Sequence, residues 1–242
     1  MIKHRFQEFT FKEINGFNTK DCILNTPYSS KVLILGTFNP DTNQEDNVAD
    51  FFYGRNYFWP VMFNLFQHKQ TKLFKKREQD GLKPDLKSIL DFCTLHELTF
   101  ADLISEVLGN GNPKYETSKR NSNLVWYDRD CYDLINDDDL SRLKMNNQVK
   151  LETDAIIDYL KRTPSISAVY LTRQATGLYK TEWQKIKKPS YGRGIAFKEI
   201  FTPSGQGSKK GIKNAIFIIN QWLEQFDQKW LLEKGIDKTK FS

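Results

Sequence analysis

Residues 33–60 read LILGTFNPDTNQEDNVADFFYGRNYFWP, and the change of character along this stretch decides the fold. Val32–Leu35 is a short, wholly apolar run ended by Gly36. That pattern suits a central parallel strand buried on both faces. The chain then breaks into a polar turn carrying Gly36, Asn39 and Pro40, and returns through an aromatic cluster that contains Arg55 and Asn56. Turns at the carboxyl ends of parallel strands are where open α/β sheets bind their ligands, so a site is expected here.

Working outward, Pro60 fits the first turn of a helix whose inner side carries Met62, Phe63 and Phe66. A second helix is expected from Pro84 to about Phe92, with Leu86, Ile89, Leu90 and Cys93 inward. Thr153 is placed as the cap of a helix bearing Ile156, Ile157 and Leu160. Strands follow around Ile166–Leu171 and Ile195–Phe201. In the last helix Ile212, Ile216, Ile219, Leu223 and Phe226 recur at helical spacing. Strands separated by helices predict an α/β fold, a three-layer α/β/α sandwich around a mainly parallel sheet of about four strands. Two polar stretches, NGNPKYETSKRNSN at 110–123 and NDDDLSRLKMNNQ at 136–148, read as surface insertions and a candidate lid. No repeat or linker divides the chain, so residues 1–242 are expected to form one domain with a polar insertion around 110–150.

Composition sets the bounds. A chain of 242 residues with 18 Phe can bury one large core. No apolar run approaches the roughly 20 residues needed to cross a bilayer, and MIKHRFQEFTFKEI is too charged for a signal peptide. A cytoplasmic protein is expected, nucleoid-associated if bacterial. Cys22, Cys93 and Cys131 are widely spaced and odd in number, which argues against a disulfide framework or a four-cysteine metal site. His4, His68 and His96 show no metal-ligand spacing and are read as structural. Asp91 and Asp102, flanking FCTLHELTFA, are candidates to support a pocket.

The formal charge of +6 is unevenly spread: from Lys161 onward 16 Lys and Arg face 6 Asp and Glu, a net of +10. A lysine-rich solvated surface explains part of this. KIKKP at 185–189, Arg193, Lys209 and Lys210 all flank glycine- and serine-rich turns, where backbone amides can also meet phosphate, which raises the polyanion-binding reading. In FTPSGQGSKKG, Phe201–Gly211, a strand runs into Thr-Pro-Ser-Gly and Ser208 is placed as the cap of the last helix. The dipole and free amides of that helix, with Lys209 and Lys210, would form an anion seat.

Together the two motifs resemble the uracil-DNA glycosylase superfamily, in particular its mismatch-specific uracil/thymine and hypoxanthine-DNA glycosylase branches. The family's strand and G-x-N-P-G turn are matched by Gly36-Thr37-Phe38-Asn39-Pro40, and its aromatic Asn-x-Phe-Trp text by Asn56-Tyr57-Phe58-Trp59. Its N-P-S-G-x-S motif before the closing helix is matched by Thr202-Pro203-Ser204-Gly205-Gln206-Gly207-Ser208. The resemblance spans about residues 32–226, although only these motifs are specific. Two departures stand out. Asn39 lies one residue further from Gly36 than in the family pattern, and Thr202 replaces the His of the most active uracil enzymes.

The resemblance implies a monofunctional DNA N-glycosylase of base-excision repair that hydrolyses the N-glycosidic bond of a deaminated base, uracil or hypoxanthine in type. It implies neither metal nor organic cofactor, and a monomer acting on DNA with a damaged or mismatched base. Asn39 or Asn56 would position the attacking water, the second matching the hypoxanthine branch. Phe38, Phe51, Phe52 and Tyr53 would face the flipped base, while Ser204, Gly205, Gln206, Ser208, Lys209 and Lys210 would meet the DNA backbone and minor groove. Bland readings stand beside these: Asn39-Pro40 is also a turn-initiating pair, and Asn56 can cap the helix near Tyr57. Two further readings are a catalytically silent nucleic-acid-binding relative and an unrelated α/β enzyme acting on a phosphorylated small molecule.

Overall fold

Val32, Leu33, Ile34, Leu35 and Gly36 are all buried, so the segment they form has no face to give to water. The computed structural model describes residues 2–4, 14–39, 51, 57–69, 84–107, 137–145, 147–203 and 214–240. In chain order its elements are β1 (Ile2–Lys3), β2 (Asn18–Lys20), β3 (Ile23–Asn25), β4 (Val32–Gly36) and α1 (Phe58–Phe63), the last continued by a π-helical turn, Asn64–His68. Next come α2 (Leu86–His96), β5 (Leu98–Asp102), β6 (Ile104–Val107), α3 (Asp137–Met145), β7 (Val149–Leu151) and α4 (Thr153–Arg162). The chain continues through β8 (Ala168–Leu171), α5 (Gly177–Lys187), a 3-10 turn at Lys188–Ser190, β9 (Ala196–Glu199), α6 (Asn214–Gln225) and α7 (Gln228–Glu233).

The main sheet has six strands in the order β2-β3-β5-β4-β8-β9. β5, β4, β8 and β9 are parallel, and the antiparallel β2–β3 hairpin brings the sheet to six strands where about four were expected; β5 is a strand the sequence reading did not place. The hairpin turn, Asp21 and Cys22, has φ of 51° and 56°. Two residues with positive φ give a two-residue loop whose twist matches that of its strands. A second sheet pairs β1, β6 and β7.

Strand side chains alternate between two cores. Val32, Ile34, Leu98, Phe100, Ala168 and Tyr170 join a cluster that includes Trp59 and Met62 of α1, Phe92 of α2, Trp222 of α6 and Trp230 of α7. Leu33, Leu35, Ala101, Val169 and Leu171 join the other, with Leu140 and Leu143 of α3, Ile156 of α4 and Trp183 of α5. The acidic stretch at 136–148, expected as surface insertion, thus includes a helix that buries two leucines. Residues 108–136 lie outside the described residues.

Helix boundaries follow local chemistry. Pro60 sits in the first turn of α1, where the absent N–H removes no helical bond. The Asp85 carboxylate accepts from the Ser88 amide at 2.7 Å and caps α2. The expected Thr153 cap is not observed. Thr153 is the first residue inside α4, and its hydroxyl donates to the buried Glu182 carboxylate of α5 at 2.7 Å. A buried acid is a stronger acceptor than a backbone end that water can reach. In α6, expected as the last helix but followed by α7, Ile219 and Leu223 are buried with Ile218 and Trp222 beside them, Ile216 is half-buried, and Phe226 is buried just past the helix end; Ile212 lies outside the described residues. Cys22 and Cys93 are buried, and Cys131 lies outside the described residues.

His96, at the end of α2, is 4% exposed and packs on Phe66 and Phe92 with ring centroids 4.8 and 4.4 Å away. Neither of its ring nitrogens, nor the Trp230 indole nitrogen, has a hydrogen-bond partner among the described residues. Burial, and then the positive charges of Lys234 and Lys69, push the imidazole from its ordinary 6.5 down to about 4. The unfolded chain therefore binds a proton that the folded chain refuses, and the His96 contribution to stability is lost as pH falls from about 6.5 toward 4. The loss should reach on the order of 3 kcal/mol. Urea denaturation across this window should show wild type weakening more than His96→Leu. Parallel pH profiles for the two would contradict the assignment.

Candidate functional site

The chain path fixes where a crevice opens. From β4 the chain leads to β5 on one side, and from β8 it leads to β9 on the other, so successive connections diverge at the adjacent carboxyl ends of β4 and β8. Ligands in parallel α/β sheets bind at such a point. Two loops border it: Thr37–Asn39 after β4, and Thr172–Arg173 after β8. Both leave the sheet under restraint. The amides of Leu103 and Ile104 donate to the carbonyls of Gly36 (3.2 Å) and Thr37 (2.9 Å), and the Thr172 amide donates to Leu35 (3.0 Å). The Arg173 guanidinium lies 4.0 Å from the centre of the Tyr179 ring, a cation held on an aromatic face beside the crevice.

Phe38 and Asn39 are half-buried at this edge. The Asn39 amide nitrogen donates to the Phe51 carbonyl at 3.0 Å. That bond orients the side chain and leaves its carbonyl oxygen, Oδ1, as the acceptor for a ligand or water. Phe51 is placed differently from expectation. Its ring is fully buried, edge-on to Phe100 at 5.3 Å and tilted on Trp59 at 5.7 Å. It is a core residue that contributes a carbonyl to Asn39, because an aromatic ring released from these neighbours would lose on the order of 2 kcal/mol of apolar burial. Of the four aromatics expected to face a base, Phe38 is half-buried at the edge of the core that holds Leu33 and Leu35. Phe52 and Tyr53 lie outside the described residues, as do Asn56, Ser204, Gly205, Gln206, Ser208, Lys209 and Lys210.

The two sequence motifs meet. The Tyr57 amide, at the start of α1, donates to the Pro203 carbonyl at 3.0 Å. Pro203 is delivered by β9 through a tethered segment. The Ile200 amide donates to Leu171 (2.8 Å), the Phe201 amide donates to the Gln225 side chain (2.7 Å), and the Trp222 indole donates to the Phe201 carbonyl (2.8 Å). Residues distant in sequence are thereby joined beside the carboxyl edge of the sheet.

A polar pair not foreseen from the sequence lies under Phe38. His4 Nε2 donates to Asp102 Oδ2 at 2.7 Å, with both residues buried. The His4 ring centroid is 6.3 Å from that of Phe38. Asp102 closes β5 opposite Gly36, and its amide donates to the Cys22 carbonyl in the hairpin turn. Of the two acids expected to support a pocket, Asp102 is thus at the site, but 98 residues separate it from His4 and no local pattern announces their contact. Asp91 is no part of the site. It is exposed on α2 and pairs with Lys87 at 2.6 Å. Glu199, at the end of β9, accepts from the Ala175 amide at 2.9 Å and was also missed.

Of the basic segments grouped by sequence, Lys209 and Lys210 lie outside the described residues, and the others lie away from the crevice. α5 returns from the carboxyl end of β8, so Lys185–Lys188 and Arg193 lie at the amino end of β9, opposite the crevice. Among the described residues no group of His, Cys, Asp and Glu is arranged to hold a metal ion, and no helix is long and apolar enough to cross a membrane. Comparison with protein-family models, curated proteins and solved structures finds no match.

His4→Ala would leave the Asp102 carboxylate buried without its donor. It should destabilise the fold by about 3 kcal/mol in chemical denaturation. A change below about 0.5 kcal/mol would show that the pair is dispensable.

Proposed function

We propose that the protein is a monomeric DNA N-glycosylase that hydrolyses the bond between a deaminated base and its sugar, on a three-layer α/β/α sandwich of uracil-DNA glycosylase type. The observation that carries this reading is the bond from Tyr57 to Pro203. It joins Tyr57 at the start of α1 to Pro203 beyond β9, at the carboxyl edge of the sheet from which Phe38 and Asn39 also emerge. Two helical groups packed on opposite faces of a mainly parallel sheet support the layered fold.

A base within a duplex is out of reach, so such an enzyme extrudes the nucleotide into a pocket and reads its edge. Phe38 offers the stacking face. As the N-glycosidic bond breaks, positive charge grows on the sugar and negative charge on the departing base. Asn39 has its amide nitrogen committed to Phe51, so its Oδ1 accepts from the attacking water and fixes its approach. An amide is too weak a base to remove the proton early, and the substrate's phosphates stabilise the sugar cation electrostatically. Thr202 presents no charge to the leaving base, which favours slow turnover. Asn56 is the alternative water-positioning group.

The test is base release from duplex and single-stranded oligonucleotides bearing uracil, hypoxanthine, xanthine or a G·T mismatch, followed by alkaline cleavage of abasic sites. Asn39→Ala should lower the single-turnover rate at least about 100-fold while keeping the urea midpoint close to wild type. The same loss in Asn56→Ala, with Asn39→Ala unaffected, would move the water to Asn56. Salt-dependent DNA binding without release of any of these bases would favour the silent relative.

A further inference from the structure

The end of α5 and the turn that leads to β9 read KIKKPSYGRG, Lys185–Gly194, and stand at the sheet edge opposite the crevice. From Trp183 to Lys198 the chain carries five Lys and Arg and no acidic residue. Lys185 is neutralised by Glu182 at 2.9 Å, whereas Lys187, Lys188 and Arg193 form no ion pair with a described acid. Tyr191 projects among them with 67% of its surface exposed. Gly192 and Gly194 flank Arg193 at φ of 85° and 72°, and a side chain at either would meet nothing within 4 Å, so the backbone here is open to approach.

The turn is also held in shape. The Arg193 amide donates to Ser190 at 3.1 Å, and one guanidinium nitrogen donates to the Leu160 carbonyl at 2.8 Å, leaving the other donors of the fork toward solvent. Lys187 rests 5.6 Å from the centre of the Trp183 ring. An exposed aromatic ring on a restrained, cation-lined turn combines the two parts of a single-strand binding platform: a face for a base to stack on, and charges that follow the backbone. A membrane surface would call for apolar side chains to insert, and this turn offers one ring with a polar hydroxyl. An acidic peptide would use the cations but give the ring no partner.

We propose that Lys187, Lys188, Tyr191 and Arg193 form a second nucleic-acid surface, which binds single-stranded DNA by stacking one base on Tyr191 and pairing the cations with adjacent phosphates. It stands apart from the crevice and does not depend on the glycosylase reading. A strand engaged there cannot present the same nucleotide to Phe38 and Asn39, so the surface holds a flanking or separate strand.

The experiment uses the full chain with an oligothymidylate containing 4-thiothymidine, photocrosslinked and mapped by mass spectrometry, together with fluorescence anisotropy against salt. The expected crosslink is on Tyr191. Tyr191→Ala should weaken single-strand affinity about 5- to 100-fold with little effect on a duplex of equal length, and Lys188→Glu should lower the salt dependence of binding. Both residues are exposed, and circular dichroism should report an unchanged fold. Wild-type affinity and salt dependence in both variants, or crosslinks confined to the carboxyl edge of the sheet, would overturn the proposal. So would an equal loss on duplex in Tyr191→Ala, or binding to phosphatidylserine vesicles in preference to the oligonucleotide. Base release from a short substrate is read separately, so failure of one proposal is distinguishable from failure of the other.

Discussion

The structure depends on the exclusion of water from both faces and both edges of β4. Its backbone is paired with β5 on one side and β8 on the other, and all five of its residues are buried. A strand in that position cannot slip by one residue, because a slip would exchange Val32 and Ile34 with Leu33 and Leu35 between two differently shaped cores. Fixing β4 therefore fixes the end of β4. Gly36 must lie opposite Asp102, the Thr37 carbonyl must meet the Ile104 amide, and Phe38 and Asn39 must emerge at one place on the carboxyl edge. The positional accuracy of the candidate site comes from the sheet rather than from the loop.

That dependence explains what was legible in the sequence. Uninterrupted apolar runs such as Val32–Leu35 announce buried parallel strands, and helical spacing announces α6, because both signals are local. β4 and β8 were readable for this reason and β9 was placed beyond them, whereas β5 was not read as a strand, because LTFAD mixes polar and apolar residues and owes its burial to β3 and β4 on either side. The hairpin β2–β3 was not readable either: NTKDCILN has no Asn-Gly or Asp-Gly turn, and its tight turn is made by Asp21 and Cys22 in a conformation that neither residue advertises. The helix at 137–145 was hidden as well, since three consecutive aspartates dominate its composition while its two buried leucines carry the packing. Thr153 misled because cap propensity is a local rule, and the partner that overrode it, Glu182, arrives from a different helix.

The site divides in the same way. Asn39 was legible as a residue, but its orientation was not, because the carbonyl that holds it belongs to Phe51 across a loop. Phe51 looked like a stacking ring because it follows a polar stretch. Burial against Phe100 and Trp59 makes it part of the floor instead, and the same residue then serves the site through its backbone. The His4–Asp102 pair and the Tyr57–Pro203 bond each join segments far apart in sequence, and contacts of that kind leave no spacing to recognise.

Charge is the feature for which composition and geometry diverge most. The net of +10 from Lys161 onward suggested one positive face, yet a chain that alternates helices with parallel strands carries each helix end to the opposite edge from the strand end it follows. α4 ends in Lys161 and Arg162, and α5 in Lys185 and Lys187, which places cations at helix carboxyl termini, where the backbone dipole favours them. Part of the positive charge thus has a purely structural reason, and Lys161 and Lys185 are further accounted for by Asp158 and Glu182. Helix stabilisation accounts for Lys188, the C-cap of α5, and in part for Arg193, whose guanidinium meets the Leu160 carbonyl in the last turn of α4, but not for Tyr191 or for the Arg193 donors left toward solvent. A dipole falls off within that turn and has no use for an exposed aromatic ring, so the chemistry that remains there is directed outward, to an anion with a flat face.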